Sequence, residues 1–352
     1  MLLRNSNDLR PDVLTKALRQ SGVLTTGEVV DVTVDMESAD RGFVANVASC
    51  RVSYSVSSDL PARLFLKVTK PELHVEYRLA GQREVQFYRH IASDQTDLPI
   101  PRCYLAEWDP QENHASLLLE DLSTSHTQRP LPLPPGPAHS LKIVESLAKI
   151  HARWWNHPAL GKSIGEALTS NQAAESLSRL HTSLPHFLDY LGDALLPARR
   201  EAYERILSST FLHRRADRLQ NLERVTLIHG DAHTNNVMLP INEDDAVLID
   251  WHRWSIDIPL IDVAFLIALH WSSPRRRHDE RLLIEHYHQT LLANGVDGYS
   301  FDDCWRDYRE SVIIMTLIPI GQTRRGMPAG VIWYGTDNSM SAFDDLGCSD
   351  LL

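Results

Sequence analysis

The sequence predicts an α+β fold in two lobes, a β-rich amino-terminal lobe with one long helix and a mostly helical carboxyl-terminal lobe. Three observations carry this expectation. Alternating or β-branched runs dominate up to about residue 122, the stretch QRPLPLPPGP at residues 128 to 137 interrupts the pattern, and beyond it apolar residues recur at helical spacing.

The amino-terminal strand signals fall at residues 28 to 35, 42 to 57, 62 to 69 and 115 to 120. Within RLFLKV, residues 63 to 68, Arg63, Phe65 and Lys67 share one face and Leu64, Leu66 and Val68 the other, so the lysine can point into a cleft while its neighbours pack. The helix, roughly residues 72 to 93, carries Val75, Leu79, Ala80, Phe87, Tyr88 and Ile91 and stops before the LPIP turn at residues 98 to 101. An antiparallel sheet with one helix packed on it is the expected result.

In the second half, short strands are expected only near residues 225 to 228, 236 to 239 and 246 to 249. Leu141, Val144, Leu147, Ala148, His151, Trp154 and Trp155, and again Leu282, Leu283, His286, Tyr287, Leu291 and Leu292, follow helical spacing and read as core-facing. The division is thus a first lobe over residues 1–122, a connector at 117–123 and a second lobe over 124–352, with a small ligand expected in the cleft between them.

Composition narrows the function. The chain has 352 residues, 43% hydrophobic and 23% charged, as expected of an ordinary globular protein. A formal charge of −11 with dispersed basic residues argues against a nucleic-acid partner. Cys50, Cys103, Cys304 and Cys348 form no CxxC pair, and no apolar run is long enough for export or a membrane span, so a reduced, cytoplasmic protein with no membrane partner is expected.

The segment LIHGDAHTNNVML, residues 227 to 239, followed by AVLIDWHRW, residues 246 to 254, carries the chemistry. Apolar flanks can hold the polar loop rigidly, presenting Asp231 and Asn236 five positions apart, and Asp250 ends the next apolar run. Phosphoryl transfer needs a carboxylate to take the proton of the attacking hydroxyl and hard oxygen ligands for magnesium on the phosphates. Asp231 suits the first role, Asn236 and Asp250 the second, and the aspartate-to-asparagine spacing equals that of a protein-kinase catalytic loop. Lys67 supplies a cation for the phosphates. Glu84, on the stripe of Ala80, Phe87, Tyr88 and Ile91, would be costly facing inward without that cation as its partner.

HGDAHTNN followed by IDW resembles the HGDxHxxN and (I/V)DW motifs of the aminoglycoside phosphotransferase and choline kinase-like family of small-molecule kinases. The resemblance implies a protein-kinase-like bilobal fold, with Asp231 as catalytic base, Asn236 and Asp250 on Mg2+, His229 bracing the loop and Asp262 of PLIDVAFL in a structural role. It implies ATP or GTP as phosphoryl donor and a small-molecule acceptor with a hydroxyl: an aminoglycoside or other antibiotic, a choline-like amine or a sugar. LLLEDLS, residues 117 to 123, resembles the family's connector, where backbone groups near Glu120 to Leu122 would meet the adenine edge. The phosphate-covering loop falls on SADRGFVAN, residues 38 to 46, with Gly42 its one glycine and Ser38, Arg41 and Asn46 as further phosphate neighbours.

Other features read as structural. His229 and His233 lack the glutamate of a zinc HExxH motif, and LGKS at residues 160 to 163 lacks the earlier glycine of a phosphate-binding loop. Trp251, Trp254, Trp271, Trp305 and Trp333 could cage a cation or a sugar ring but read more simply as core, and Asp337, Asp344, Asp345 and Asp350 read equally well as an amine-attracting region or as a solvated tail. The rivals are a catalytically silent nucleotide-binding pseudokinase and a protein kinase, the latter disfavoured by the short stretch between Asp250 and Asp262.

Overall fold

The computed structural model describes residues 1–35, 45–56, 60–92, 97–129, 133–242 and 244–352. In chain order its first elements are α1 (Pro11–Gln20), β1 (Val29–Asp35), β2 (Ala45–Tyr54), β3 (Arg63–Thr69), α2 (Val75–His90), β4 (Cys103–Asp109), β5 (His114–Glu120) and β6 (His126–Thr127). Then come α3 (Pro137–Arg153), α4 (Ser170–Leu191), α5 (Pro197–Ser208), α6 (Phe211–Gln220), β7 (Thr226–Ile228), β8 (Val237–Pro240), β9 (Val247–Leu248) and β10 (Ser255–Asp257). The chain ends in α7 (Leu260–Ala264), α8 (Ser273–Ala293), α9 (Phe301–Arg324) and α10 (Ala329–Asp345). Among the described residues no helix is long and apolar enough to cross a membrane.

Two compact units result, one formed by Met1–Thr127 with Met238–Trp254, the other by Gln128–Val237 with Ser255–Leu352. The first break in the chain falls after Thr127, and residues 238–254 return to the first unit. The sequence carries no local mark of that return, because the segment is recruited by pairing. β6 meets β8 through His126 opposite Pro240, and His126 Nε2 lies 3.0 Å from the Asp245 carbonyl.

The first unit is built on an antiparallel sheet in the order β1-β2-β3-β5-β4. Alternation along β3 divides its faces, with Leu64, Leu66 and Val68 at most 2% exposed on one of them. These side chains pack with Leu14, Ala17 and Leu18 of α1 and with Leu3 and Leu9 ahead of it. Two helices therefore accompany the sheet where one was expected. Helix α1 shows its core face at the i, i+3, i+4 positions Leu14, Ala17 and Leu18 and starts with Pro11 at a position where no amide is needed. β4 was likewise not foreseen, because its burial does not alternate.

On α2, Phe87 and Tyr88 are buried as expected, whereas Val75 and Leu79 are exposed. Those two apolar residues lie in the first turns, off the stripe that continues through Glu84. Gly81 permits a close approach of helix to sheet, since a Cβ there would come 2.8 Å from the Ala115 Cβ.

In the second unit α3 packs against α8, and α9 against α7 and α10. Leu283, Tyr287 and Leu291 face the core, while Leu282 and Leu292 are exposed because they fall on the opposite side of α8. Trp271 is buried as expected, and Trp333 is exposed. Of the acidic residues near the carboxyl terminus Asp350 is exposed, but the other three are fastened by arginines. Asp337 and Asp344 both pair with Arg199, and Asp345 pairs with Arg277 and the fully buried Arg276, which also binds Glu280 at 2.7 Å. Carboxylates on α10 thus fasten it to α5 and α8.

Candidate active site

The first unit gathers one set of the expected residues. β3 holds Lys67 between Val47 of β2 and Leu117 of β5, on the face away from Leu66 and Val68. Its Nζ lies 2.6 Å from Glu84 Oε2 and 2.7 Å from Asp250 Oδ1. Glu84 is 2% exposed, so its carboxylate depends on the lysine for compensation. Asp250 Oδ1 also takes a hydrogen bond from His252 Nδ1 at 2.7 Å.

Asp250 has φ +68°, the left-handed region, which costs a residue with a Cβ on the order of 1–3 kcal/mol. Surrounding contacts hold it there. The Trp251 ring stacks on Phe87 of α2 with centroids 4.0 Å apart, and its Nε1 donates to the Leu248 carbonyl. Arg83 Nη2 donates to the Trp254 carbonyl at 2.5 Å while Trp254 Nε1 donates to the Arg83 carbonyl at 2.9 Å. The helix that supplies Glu84 and the turn that supplies Asp250 are therefore clamped to each other.

Charge is shared unequally in this cluster. Burial disfavours the Lys67 ammonium, yet Asp250 and Glu84 outweigh it and hold its pKa above that of an ordinary lysine. Burial also works against ionised Asp250, but Lys67 and His252 bring its carboxyl far below the usual carboxylate range. Glu84 goes the other way: burial, reinforced by the negative charge of Asp250, raises it despite Lys67. Burial opposes the His252 imidazolium, and the bond to Asp250 overcomes this and raises its pKa. A small cavity opens here, lined by Lys67, Glu84, Asp250 and His252 with Thr69 and Ala115.

The second unit holds the other set, by backbone hydrogen bonds. β7 pairs with β10 and runs into the loop at His229. Asp262, fully buried at the start of α7, accepts from the His229 amide at 2.6 Å and the Gly230 amide at 2.8 Å. His151 of α3, also fully buried, lies with Nε2 3.2 Å from Asp262 and Nδ1 2.8 Å from the Tyr287 hydroxyl. Burial would raise the Asp262 carboxyl, but His151 and the His229 amide keep it below the usual range. Gly230 takes φ +76°, so the loop turns where a side chain would be strained.

Asn236 Nδ2 donates to the Asp231 carbonyl at 2.9 Å and approaches Asp231 Oδ2 at 3.3 Å. With its nitrogen so engaged, the amide oxygen of Asn236 is left as an acceptor. His233 Nε2 lies 3.8 Å from Asp231 Oδ2, and its ring neighbours Phe265 and His270. Phe265–Leu269 form a π-helical turn, a form often found at functional sites. His270 Nδ1 donates to the Phe265 carbonyl, and burial pushes this imidazole down to about 4.

Of the remaining expected residues, Gly42, Ser38 and Arg41 lie outside the described residues. Glu120 is exposed, its side chain accepting from the Arg102 amide. Leu122 is buried and its carbonyl accepts from His126 N at 2.9 Å. Sequence reasoning missed His252, His151 as the partner of Asp262, and the Arg83–Trp254 clamp. The nearest signal was positional: His252 and Trp254 follow Asp250 within the already singled-out IDWHRW segment.

A lysine strand, a helix carrying its glutamate, and a loop with the HGD sequence on a largely helical unit define a protein-kinase-like fold and a phosphotransferase. The chain belongs to the phosphotransferase enzyme family, whose profile matches residues 45–309. Among solved structures, a GDP complex of a mutant aminoglycoside 2'-phosphotransferase-IIIa aligns with TM-score 0.55 and 13% identity over 97% of this chain and 98% of that one. Choline kinase from Cryptosporidium parvum aligns with TM-score 0.51 and 11% identity over 97% of both chains. A search of curated proteins found no match. At such identities the structural likeness is one of fold.

Proposed function

We propose that this protein transfers the γ-phosphate of ATP or GTP, with magnesium, to a hydroxyl group of a small molecule. The observation that carries the reading is Lys67, 16% exposed at a small cavity, held by ion pairs to the buried Glu84 and the partly exposed Asp250, which keeps a cation in place where phosphates could reach it. In this reading Lys67 grips the α- and β-phosphates and Glu84 orients it. Asp231 aligns the acceptor hydroxyl and takes its proton. Backbone groups near Glu120 to Leu122 meet the base, although the Leu122 carbonyl is already used by His126.

The donor set suits magnesium, because Asp250 Oδ2 and the Asn236 amide oxygen are hard oxygens with no hydrogen bond among the described residues. Those two residues would hold it. When bound, magnesium neutralises phosphate charge as the γ-phosphoryl group leaves. The GDP complex of the related fold supports a nucleotide as donor.

The test incubates the protein with ATP or GTP, magnesium and a panel of antibiotics, choline-like amines and sugars, and looks for the mass gain of one phosphoryl group on one class of acceptor. A thermal shift with Mg–nucleotide accompanies it. Binding without transfer to any hydroxyl would favour the silent pseudokinase, and no nucleotide binding at all would end both readings.

A further inference from the structure

His252 has no part in the scheme above, yet its imidazole lines the same cavity as Lys67 and Glu84 and bonds the carboxylate on which that scheme depends. An ionised carboxylate only accepts hydrogen bonds, so His252 Nδ1 is the donor whatever the state of Nε2. Lys67 Nζ and His252 Nδ1 converge on Asp250 Oδ1, each at 2.7 Å. Among the described residues Oδ2 takes no hydrogen bond. Two donors on one oxygen fix the rotation of the carboxylate, and so fix the direction of the other oxygen.

The backbone reinforces this arrangement. Asp250 is left-handed, and the single 3-10 turn Trp251–Arg253 follows it directly. Anchors bracket His252 on both sides: Trp251 is stacked on Phe87, and Trp254 exchanges hydrogen bonds with Arg83. With its neighbours immobilised, the imidazole has little freedom to leave Asp250. Lys67 alone could not set the direction as well, because it is shared with Glu84 and must also serve the nucleotide.

We propose that His252 is a positioning residue that turns Asp250 so that Oδ2 is presented to the metal of a metal–nucleotide complex. This rests on the metal role given to Asp250 above. His252 itself touches neither nucleotide nor acceptor in this scheme, and it acts through the carboxylate it holds.

The test measures ADP binding to the full chain by calorimetry, without magnesium and across a magnesium titration, for the natural protein and for His252→Ala, His252→Asn, His252→Phe and Asp250→Asn. Asparagine keeps a donor near the place of Nδ1, whereas alanine and phenylalanine remove it. The alanine variant is expected to need roughly tenfold more magnesium for the same gain in ADP affinity, with metal-free ADP binding unchanged. The asparagine variant should recover to within about threefold of the natural protein. Phenylalanine, which fills the ring space, should match alanine and stands in for it if alanine fails to fold. A natural magnesium dependence in His252→Phe, alongside its loss in Asp250→Asn, would overturn the role of His252. An unchanged magnesium dependence in Asp250→Asn would instead remove the metal role of Asp250 on which the inference stands.

Discussion

The two polar centres of this protein are held by opposite means. In the first unit Lys67, Glu84, Asp250 and His252 hold one another through side-chain charges, within 2.6–2.7 Å. In the second unit the Asp231 loop is set by its backbone, with Asp262 gripping the His229 and Gly230 amides and His151 steadying Asp262 from behind. The difference suits the tasks assigned to each. A group that binds phosphates must keep its cation in place before any ligand arrives, whereas a base needs a fixed position.

The contrast can be broken first at Lys67. Lys67→Met leaves Glu84 buried without its cation, and equilibrium unfolding should show a loss of about 3–5 kcal/mol, with nucleotide affinity falling as well. A loss below about 1 kcal/mol would mean the cluster is relaxed by solvent, as exposed pairs are.

Asp262→Ala attacks the other centre. It strips the acceptor from two amides and a buried histidine, and a loss of about 3 kcal/mol in unfolding free energy is expected. Turnover should fall through a displaced Asp231, while nucleotide affinity changes by less than about threefold, which separates this variant from the lysine one.

The third prediction concerns pH. His270 titrates near 4 in the folded protein, below the unfolded value of about 6.5, because burial opposes its charge and His233 adds to that, only partly offset by the Phe265 carbonyl and Asp231. The unfolded chain therefore binds more protons in that window, and stability present above pH 6.5 is lost as pH falls towards 4, by up to about 3 kcal/mol. His270→Asn, which keeps a donor for Phe265, should flatten the stability profile between those limits relative to the natural protein. An unaltered slope would show that other groups set it.

How much of this was legible in the sequence follows from how each centre is held. Period-two alternation places Lys67 opposite Leu66 and Val68, and a glutamate on an apolar helical stripe marks Glu84, so both could be read from local pattern. Asp231 and Asn236 were legible through the spacing of one short loop. The Asp262–His151 support was not, because its partners are 111 residues apart and join through tertiary packing alone. Helix α1 shows its apolar spacing openly, yet nothing local says that its face closes over Leu64 and Leu66. The left-handed Asp250 and the clamp around it were hidden for a related reason: positive φ at an aspartate is set by Trp251, Trp254 and α2 rather than by the residue itself.

The most direct test of the account is Asp231→Asn, measured by turnover with an identified acceptor and by calorimetry with ADP and magnesium. Turnover should fall by about 10²–10⁴-fold while ADP affinity stays within about threefold of the natural protein. Turnover at the natural rate would contradict the assignment of Asp231 as the base and, with it, the central reading of the site.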